Sequence, residues 1–485
     1  MLHFLRKINL LWAPLLAACL ALLMMNFGQS YTVAVMAAIT LWMAIWWTTE
    51  AVNIYLTALI PAFAMPLLGI LSMKDIAIAY LPQIIFLFIG GFILAFAVEK
   101  WNLHKRIAYS IILSLGNRID RLLLSFMLAS YLLSMWILNT ATVILLLPAV
   151  LAVVGQIKDA SERKLYTPFL LGLAFASSIG GIATIIGTAP NMFLMDFYND
   201  AQALSPKINF MNWFLMAFPL SLILFVVCFF LIKKYSLGKH EISLDLDYCR
   251  KELKKMGSFS YEESVVASVF VLLIIAWFTA RDIPFQSFKF RGWLNLLPEA
   301  SFVKESTLAI LAAFSLFLIP SKQKGKKIAD WSDASKVPIG IIFLFGGGFA
   351  LAKGFEISGL SAIIATQLQV LSNLPLFGLI ILLVLFMTFF TEISSNTAST
   401  ILVLPVLMAM LSKFDFPAAF VLFPVTIAAS CAFMLPVATP PNTIVFGSGK
   451  LQIRDMLRAG IWLNLASALI ISLYTYYVVP MFFGT

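Results

Sequence analysis

Long apolar runs recur from one end of the chain to the other, separated by short polar loops. Each is near the ~20 residues that a membrane-crossing helix needs. The uninterrupted runs predict spans at 8–26, 31–49, 51–70, 82–99, 211–232, 262–280, 305–320, 337–355 and 457–480. Two more, 165–193 and 417–446, are broken near the middle by Gly187-Thr188-Ala189-Pro190-Asn191 and by Pro436 with Ala438-Thr439-Pro440-Pro441-Asn442. Two others, 122–157 and 373–412, carry polar residues at mid-run, in "SMWILNTATVILLLP" (134–148) and "TEISSNTASTILVLP" (391–405). The arms on either side of Asn139-Thr140 are short for full crossings. The pattern therefore predicts hairpins that enter and leave on one side. Irregular backbone at membrane depth is tolerated only where it lines a cavity. Two full spans would leave the flanking loops on the same sides, so the count of charges does not separate these readings.

The pattern repeats. "IIFLFIGGFILA" (84–95) and "IIFLFGGGFALA" (341–352) agree at ten of twelve positions at an offset of 257, and Asn139 and Asn396 share that offset. "IIGTAPNMF" (185–193) and "PVATPPNTI" (436–444) follow in turn. An odd number of crossings lies between the copies, so they run in opposite directions. An inverted repeat is the signature of secondary transporters. The expected division is an N-terminal helix (1–30), a first repeat (31–232), a cytoplasmic linker (233–261) and a second repeat (262–485). The fold class is an all-α polytopic membrane protein with about eleven transmembrane helices and two re-entrant hairpins.

Composition agrees. The chain is 61% hydrophobic and 12% charged, with mean hydropathy +0.97, whereas a soluble domain carries about 25% charged residues. The net charge of +10 would suit a nucleic acid, but its placement indicates topology instead. Over alternate loops, 25 Lys and Arg fall on one side and 8 on the other. The positive-inside rule then puts the N-terminus in the cytoplasm and the C-terminus outside, in a cell membrane. Cys19, Cys228, Cys249 and Cys431 show no metal or disulfide spacing. His3, His104 and His240 read as solvated. "LAAC" (16–19) mimics a lipoprotein signal, but the apolar run continues past it, which favours an uncleaved first helix.

The breaks carry the chemistry. Proline inside a helix frees a carbonyl one turn earlier. Half-helix N-termini attract anions, and half-helix C-terminal carbonyls coordinate Na⁺. No Asp, Glu, Lys, Arg or His lies in 134–148 or in the cores of the broken helices. That favours Na⁺ held by neutral oxygens over a titrating proton carrier. Glu392 is the exception: it reads first as a structural hydrogen-bonding residue near the hairpin base, with cation or proton binding as the alternative. No base, nucleophile or metal cluster gathers at the breaks, so the chain is not expected to be an enzyme.

Taken together, "WWTTEA" (46–51), "FIGGFILA" (88–95), "SSIGGIATIIGTAPN" (177–191), "TEISSNTAS" (391–399) and "AASCAFMLPVATPPN" (428–442) resemble the divalent anion/sodium symporter family of di- and tricarboxylate transporters. The resemblance covers nearly the whole chain. It implies a scaffold domain, an elevator-like transport domain with two hairpins, a homodimer, and Na⁺-coupled uptake of small carboxylates, C4 acids such as succinate, malate or fumarate first. It also implies a first cation site at Ser134, Asn139 and Gly187, and a second at Thr391, Ser395, Asn396 and Ala438. Substrate contacts would come from Asn139, Thr140, Ser395, Asn396 and Thr397, with Thr188, Thr439 and Pro440 nearby. A Na⁺-independent dicarboxylate or citrate exchanger, a sulfate symporter and an anion channel stay open as alternatives. There is one departure: the family's tip motif is Ser-Asn-Thr in both halves, and the first reads Leu138-Asn139-Thr140 here. Either the substrate differs, being longer, less symmetric or partly apolar, or Leu138 only packs and backbone N–H compensates.

Overall fold

The chain opens with α1 (Leu2–Asn26) and α2 (Tyr31–Thr49), then α3 (Ile54–Thr57), α4 (Ile60–Leu67), α5 (Met73–Tyr80), α6 (Ile84–Lys100) and α7 (Leu103–Ser114). A first helical hairpin follows, α8 (Ile119–Ser134) and α9 (Asn139–Val154), then a broken helix, α10 (Glu162–Ile182) and α11 (Ala189–Asp200), and α12 (Phe210–Ile232). After α13 (Asp247–Lys255) the order returns in outline: α14 (Tyr261–Thr279), α15 (Glu305–Leu318), α16 (Trp331–Ala334), α17 (Ile339–Ser358) and α18 (Leu360–Leu368). The second hairpin is α19 (Leu376–Phe390) and α20 (Asn396–Leu411), and the second broken helix is α21 (Ala419–Ala429) and α22 (Pro440–Gly447), before α23 (Ile453–Val478) and α24 (Pro480–Phe483). The only strands among the described residues are β1 (Ile283–Pro284) and β2 (Lys289–Phe290), an antiparallel pair. This computed structural model describes residues 2–156, 162–201, 204, 206–234, 244–284, 289–323, 325–411, 414 and 416–483. The expected hairpin ends at 157 and 412, part of the linker, and His240 lie outside them.

Eight described helices are long and apolar enough to cross a membrane, or nine if a pair bent by 116° at 371–376 counts as one span. The expected span at 51–70 is not a single helix. Glu50 turns left-handed (φ 47°) behind α2, Asn53 restarts the chain by accepting from Tyr55 N (2.9 Å), and α3 and α4 divide the run. Glu50 and Asn53 delay the start of the helix to Ile54, and Pro61, which has no N–H to give Thr57 O, separates α3 from α4.

Packing sorts the helices. α8–α12 pack with α19–α23, while α2–α6 pack with α14–α18. Helices α7 and α18, at matching places in the two repeats, link these groups: each packs on the Gly-rich helix before it and on the hairpin after it. The central α10 is 94% buried over Leu165–Ile182, whereas the Asn9–Asn26 stretch of α1 is 11% buried and lies against α2. Small residues permit the central approach: a Cβ on Gly180 would come within 2.2 Å of Tyr131 O.

The linker is more than a solvated tether. α13 packs on α7 and α9 with Cys249 buried beneath it. Arg106 of α7 then staples the end of that segment. It donates to the carbonyls of Met256, Gly257 and Ser258 and to both Glu263 oxygens, at 2.7 and 3.0 Å. His104, expected in solvent, is buried, with Nδ1 3.1 Å from Val98 O. The tight α6–α7 turn folds its ring under α6.

Candidate functional site

The first tip forms where α8 ends at Ser134 and α9 begins at Asn139. Ser134 is fully buried and its hydroxyl donates to Asn139 Oδ1. Under this pair lie two glycines. A Cβ on Gly181 would sit 2.7 Å from Asn139 Oδ1 and 3.2 Å from Gly187 O, and one on Gly187 would sit 2.5 Å from Gly181 O. A hydroxyl, an amide oxygen and two backbone carbonyls thus converge around a space that only glycine leaves open. Such a set of neutral oxygens suits a small hard cation. Thr184 ties the break to the tip, its hydroxyl donating to Met135 O and accepting from Gly187 N at 3.1 Å.

The second tip is built alike. Thr391 Oγ1 lies 2.8 Å from Asn396 Oδ1 and 3.0 Å from Ala429 O. Thr391 and Asn396 are five residues apart, as are Ser134 and Asn139. Ala438 is buried, with its N–H directed to Leu435 O (3.3 Å). Ser395, Asn396 and Thr397 are half-buried, as are Asn139 and Thr140, so both tips present polar atoms to a cleft as well as to the interior. Among the described residues, neither Asn139 Nδ2 nor Asn396 Nδ2 has a protein acceptor.

Thr188 and Thr439 cap the second halves of the broken helices. Thr439, buried, accepts from Asn442 N (3.2 Å), while Thr188, half-buried, makes no such cap bond. Pro440 follows at the exposed mouth of α22. Proline costs nothing at a first-turn position, where its missing donor has no intrahelical partner anyway. α9 packs on α22 and α20 packs on α11, so the second arm of each repeat's hairpin meets the other repeat's half-helix.

Several residues escaped the sequence reading. Asn191 Nδ2 donates to Gly181 O (3.0 Å), Ile182 O (3.3 Å) and Thr184 O (2.8 Å). Asn442 Nδ2 does the same for Ala432 O (3.1 Å) and Leu435 O (3.0 Å). Both amides span their break at matching offsets, both are fully buried, and both leave Oδ1 without a partner. Thr142 and its repeat mate Ser399 also hold buried, unpartnered hydroxyls in the first turns of α9 and α20, and Thr388, Ser394 and Ser430 add three more. Buried polar atoms almost always find partners. Their grouping at the tips and breaks fits a site whose cargo supplies them. The recurrence of Thr142 as Ser399 and of Asn191 as Asn442 was the signal available in the sequence.

Glu392 is structural, as expected. It accepts from Met434 N and Leu435 N (2.9 Å each) and from Asn464 Nδ2 (2.7 Å), while Asn464 Oδ1 accepts from Phe433 N (3.2 Å). The carboxylate thus holds the second tip against its break. Among the described residues, no three His, Cys, Asp or Glu gather as metal ligands.

Residues 6–483 match the family described as the sodium:sulfate symporter transmembrane region. The sodium-dependent dicarboxylate transporter SdcS of Staphylococcus saprophyticus is 38% identical, over 98% of this chain and 92% of its own length. The protein of the same name from Staphylococcus aureus is 39% identical, over 92% and 86%. The solved structure of the Alcanivorax borkumensis YdaH transporter, described as having an unusual topology, is similar in fold, with a TM-score of 0.55 at 13% identity over 86% of this chain and 88% of that one.

Proposed function

Because the chain belongs to the sodium:sulfate symporter family, we propose that it is a sodium-coupled symporter of small dicarboxylate dianions, C4 acids such as succinate, malate and fumarate first. Relatives of nearly full coverage are named as sodium-dependent dicarboxylate transporters. One observation carries the reading to this chain's residues: each tip amide has two faces. Asn139 directs Oδ1 into the oxygen cradle, Asn396 directs its own to Thr391 beside Ala429 O, and both leave Nδ2 without a protein acceptor among the described residues. An amide oxygen serves a cation and an amide N–H serves a carboxylate.

Na⁺ is held at Ser134, Asn139 and the Gly187 backbone, and at Thr391, Ser395, Asn396 and the Ala438 backbone. The bound cations fix the tips. The carboxylates then meet Asn139, Thr140, Ser395, Asn396 and Thr397, the caps Thr188 and Thr439, and the open N-termini near Pro440. Positive dipole ends at those N-termini favour the anion. The hairpins and broken helices move as an elevator-like body past the remaining helices, within a homodimer in the cell membrane whose N-termini are cytoplasmic. About eleven segments, the shorter and broken helices included, then cross the bilayer. The family's description makes sulfate the second reading.

Uptake of labelled succinate into proteoliposomes tests this. It is expected with an inward Na⁺ gradient and absent with K⁺ in its place. Equal uptake in both, requiring internal dicarboxylate, would replace symport with exchange. Competition by sulfate but not by dicarboxylates would move the assignment to the second reading.

A further inference from the structure

One difference between the two repeats lies directly before the tip amide. Ser395 precedes Asn396 at the second tip, and Leu138 holds the matching position before Asn139. Leu138 is 38% exposed, and as the cap of α9 it offers no side-chain hydrogen bond. Its side chain faces a small cleft walled by Trp136, Ile186, Gly91, Phe92 and Ala95, with about 20 Å³ of room for the centre of a water-sized sphere. That is space for one small group.

The same place in the second repeat is filled. A Cβ on Gly348, the mate of Gly91, would meet Ile401 Cγ2 at 2.3 Å and Phe193 at 3.0 Å. In the first repeat Ile144, the mate of Ile401, is 57% exposed, and the nearest atom to a Gly91 Cβ is Ile186 Cγ2 at 3.9 Å. The cleft adjoins the site along the chain. Leu138 and Ile186 directly precede Asn139 and Gly187, both of the first oxygen cradle.

The lining decides what can enter. A carboxylate there would lose most of its water for at most the Trp136 indole N–H, and Glu99 in the lining adds a like charge. Both carboxylates of the cargo therefore stay on the polar tips, and only hydrocarbon suits the cleft. We infer that the cleft is a side pocket of the substrate site, and that the preferred dianion carries a short alkyl branch between its carboxylates. This rests on the reading of the chain as a sodium-coupled dicarboxylate symporter.

The test is competition against Na⁺-driven succinate uptake in proteoliposomes, comparing unlabelled succinate with 2-methylsuccinate. One buried methylene-sized group predicts an apparent affinity about fourfold tighter for the methylated acid. In Leu138→Ser, which removes the apolar wall, and in Gly91→Val, which fills the cleft, the preference falls to parity or reverses. The ratio is read within each variant, so it does not depend on how much active protein is made, and the wild-type ratio stands alone if a variant fails to fold. Equal or weaker binding of the methylated acid by the wild type overturns the side pocket while leaving symport intact. So does an unchanged preference in both variants. Absence of Na⁺-dependent uptake of either acid overturns the symport reading and the pocket with it.

Discussion

Asn396, like Asn139, carries two parts of the proposed mechanism in one side chain. Its Oδ1 accepts from Thr391 at 2.8 Å, and its Nδ2 has no protein acceptor among the described residues. Asn396→Ala removes a cation ligand and an anion donor together while leaving the half-buried backbone turn in place. Uptake should fall about a hundredfold or more, since each hydrogen bond to a charged group contributes about 1.5–3 kcal/mol, with elution and thermal stability close to wild type. Uptake near wild-type level would remove Asn396 from the site. At this scale the sequence was partly legible. A polar pair inside an apolar run marks the tips, because hydrocarbon cannot satisfy amides and hydroxyls. Asn191 and Asn442 sat inside motifs already quoted, yet spacing alone does not say which end of an amide is bonded. Only the packed break shows their Nδ2 atoms spent on carbonyls and their oxygens left over.

Among the elements, α10 shows how neighbouring glycines do different work. Gly180 lets α10 approach the backbone of α8, with Tyr131 O 2.2 Å from a would-be Cβ, whereas Gly181 keeps the first cradle open, with Asn139 Oδ1 at 2.7 Å. Gly180→Ala should therefore cost about 1–3 kcal/mol through overpacking, seen as a lower melting temperature in detergent. Gly181→Ala should spare more of that stability and raise the Na⁺ concentration for half-maximal uptake roughly tenfold or more. An unchanged Na⁺ response in Gly181→Ala would dissociate the cradle from cation binding. The hairpins and broken helices were readable because Pro, Gly and Asn interrupt strong apolar runs. The division of 51–70 was not, because hydropathy averages over the left-handed turn at Glu50, the Asn53 cap and the donor missing at Pro61. The docking of α13 was hidden for a similar reason. A short, highly charged segment reads as solvated unless the one buried residue, Cys249, is known to face α7 and α9.

For the whole molecule, the offset of 257 between repeats carried most of what could be read. It fixed the order of Gly-rich helix, hairpin and broken helix in each half, and the structure keeps that order. What it could not supply is the exchange between halves, in which α9 lies on α22 and α20 lies on α11. That arrangement interlocks the hairpins and half-helices of the two repeats, and in the proposed mechanism the tip amides serve cation and anion together. Their binding must then be linked, each raising the other's affinity by the same factor. The most direct measurement is calorimetric binding of succinate to the purified protein in saturating Na⁺ and in K⁺ alone, with the reciprocal Na⁺ titration with and without succinate. The account predicts succinate binding only in Na⁺, and a matching gain in Na⁺ affinity when succinate is present. Equally tight succinate binding in K⁺ would contradict it.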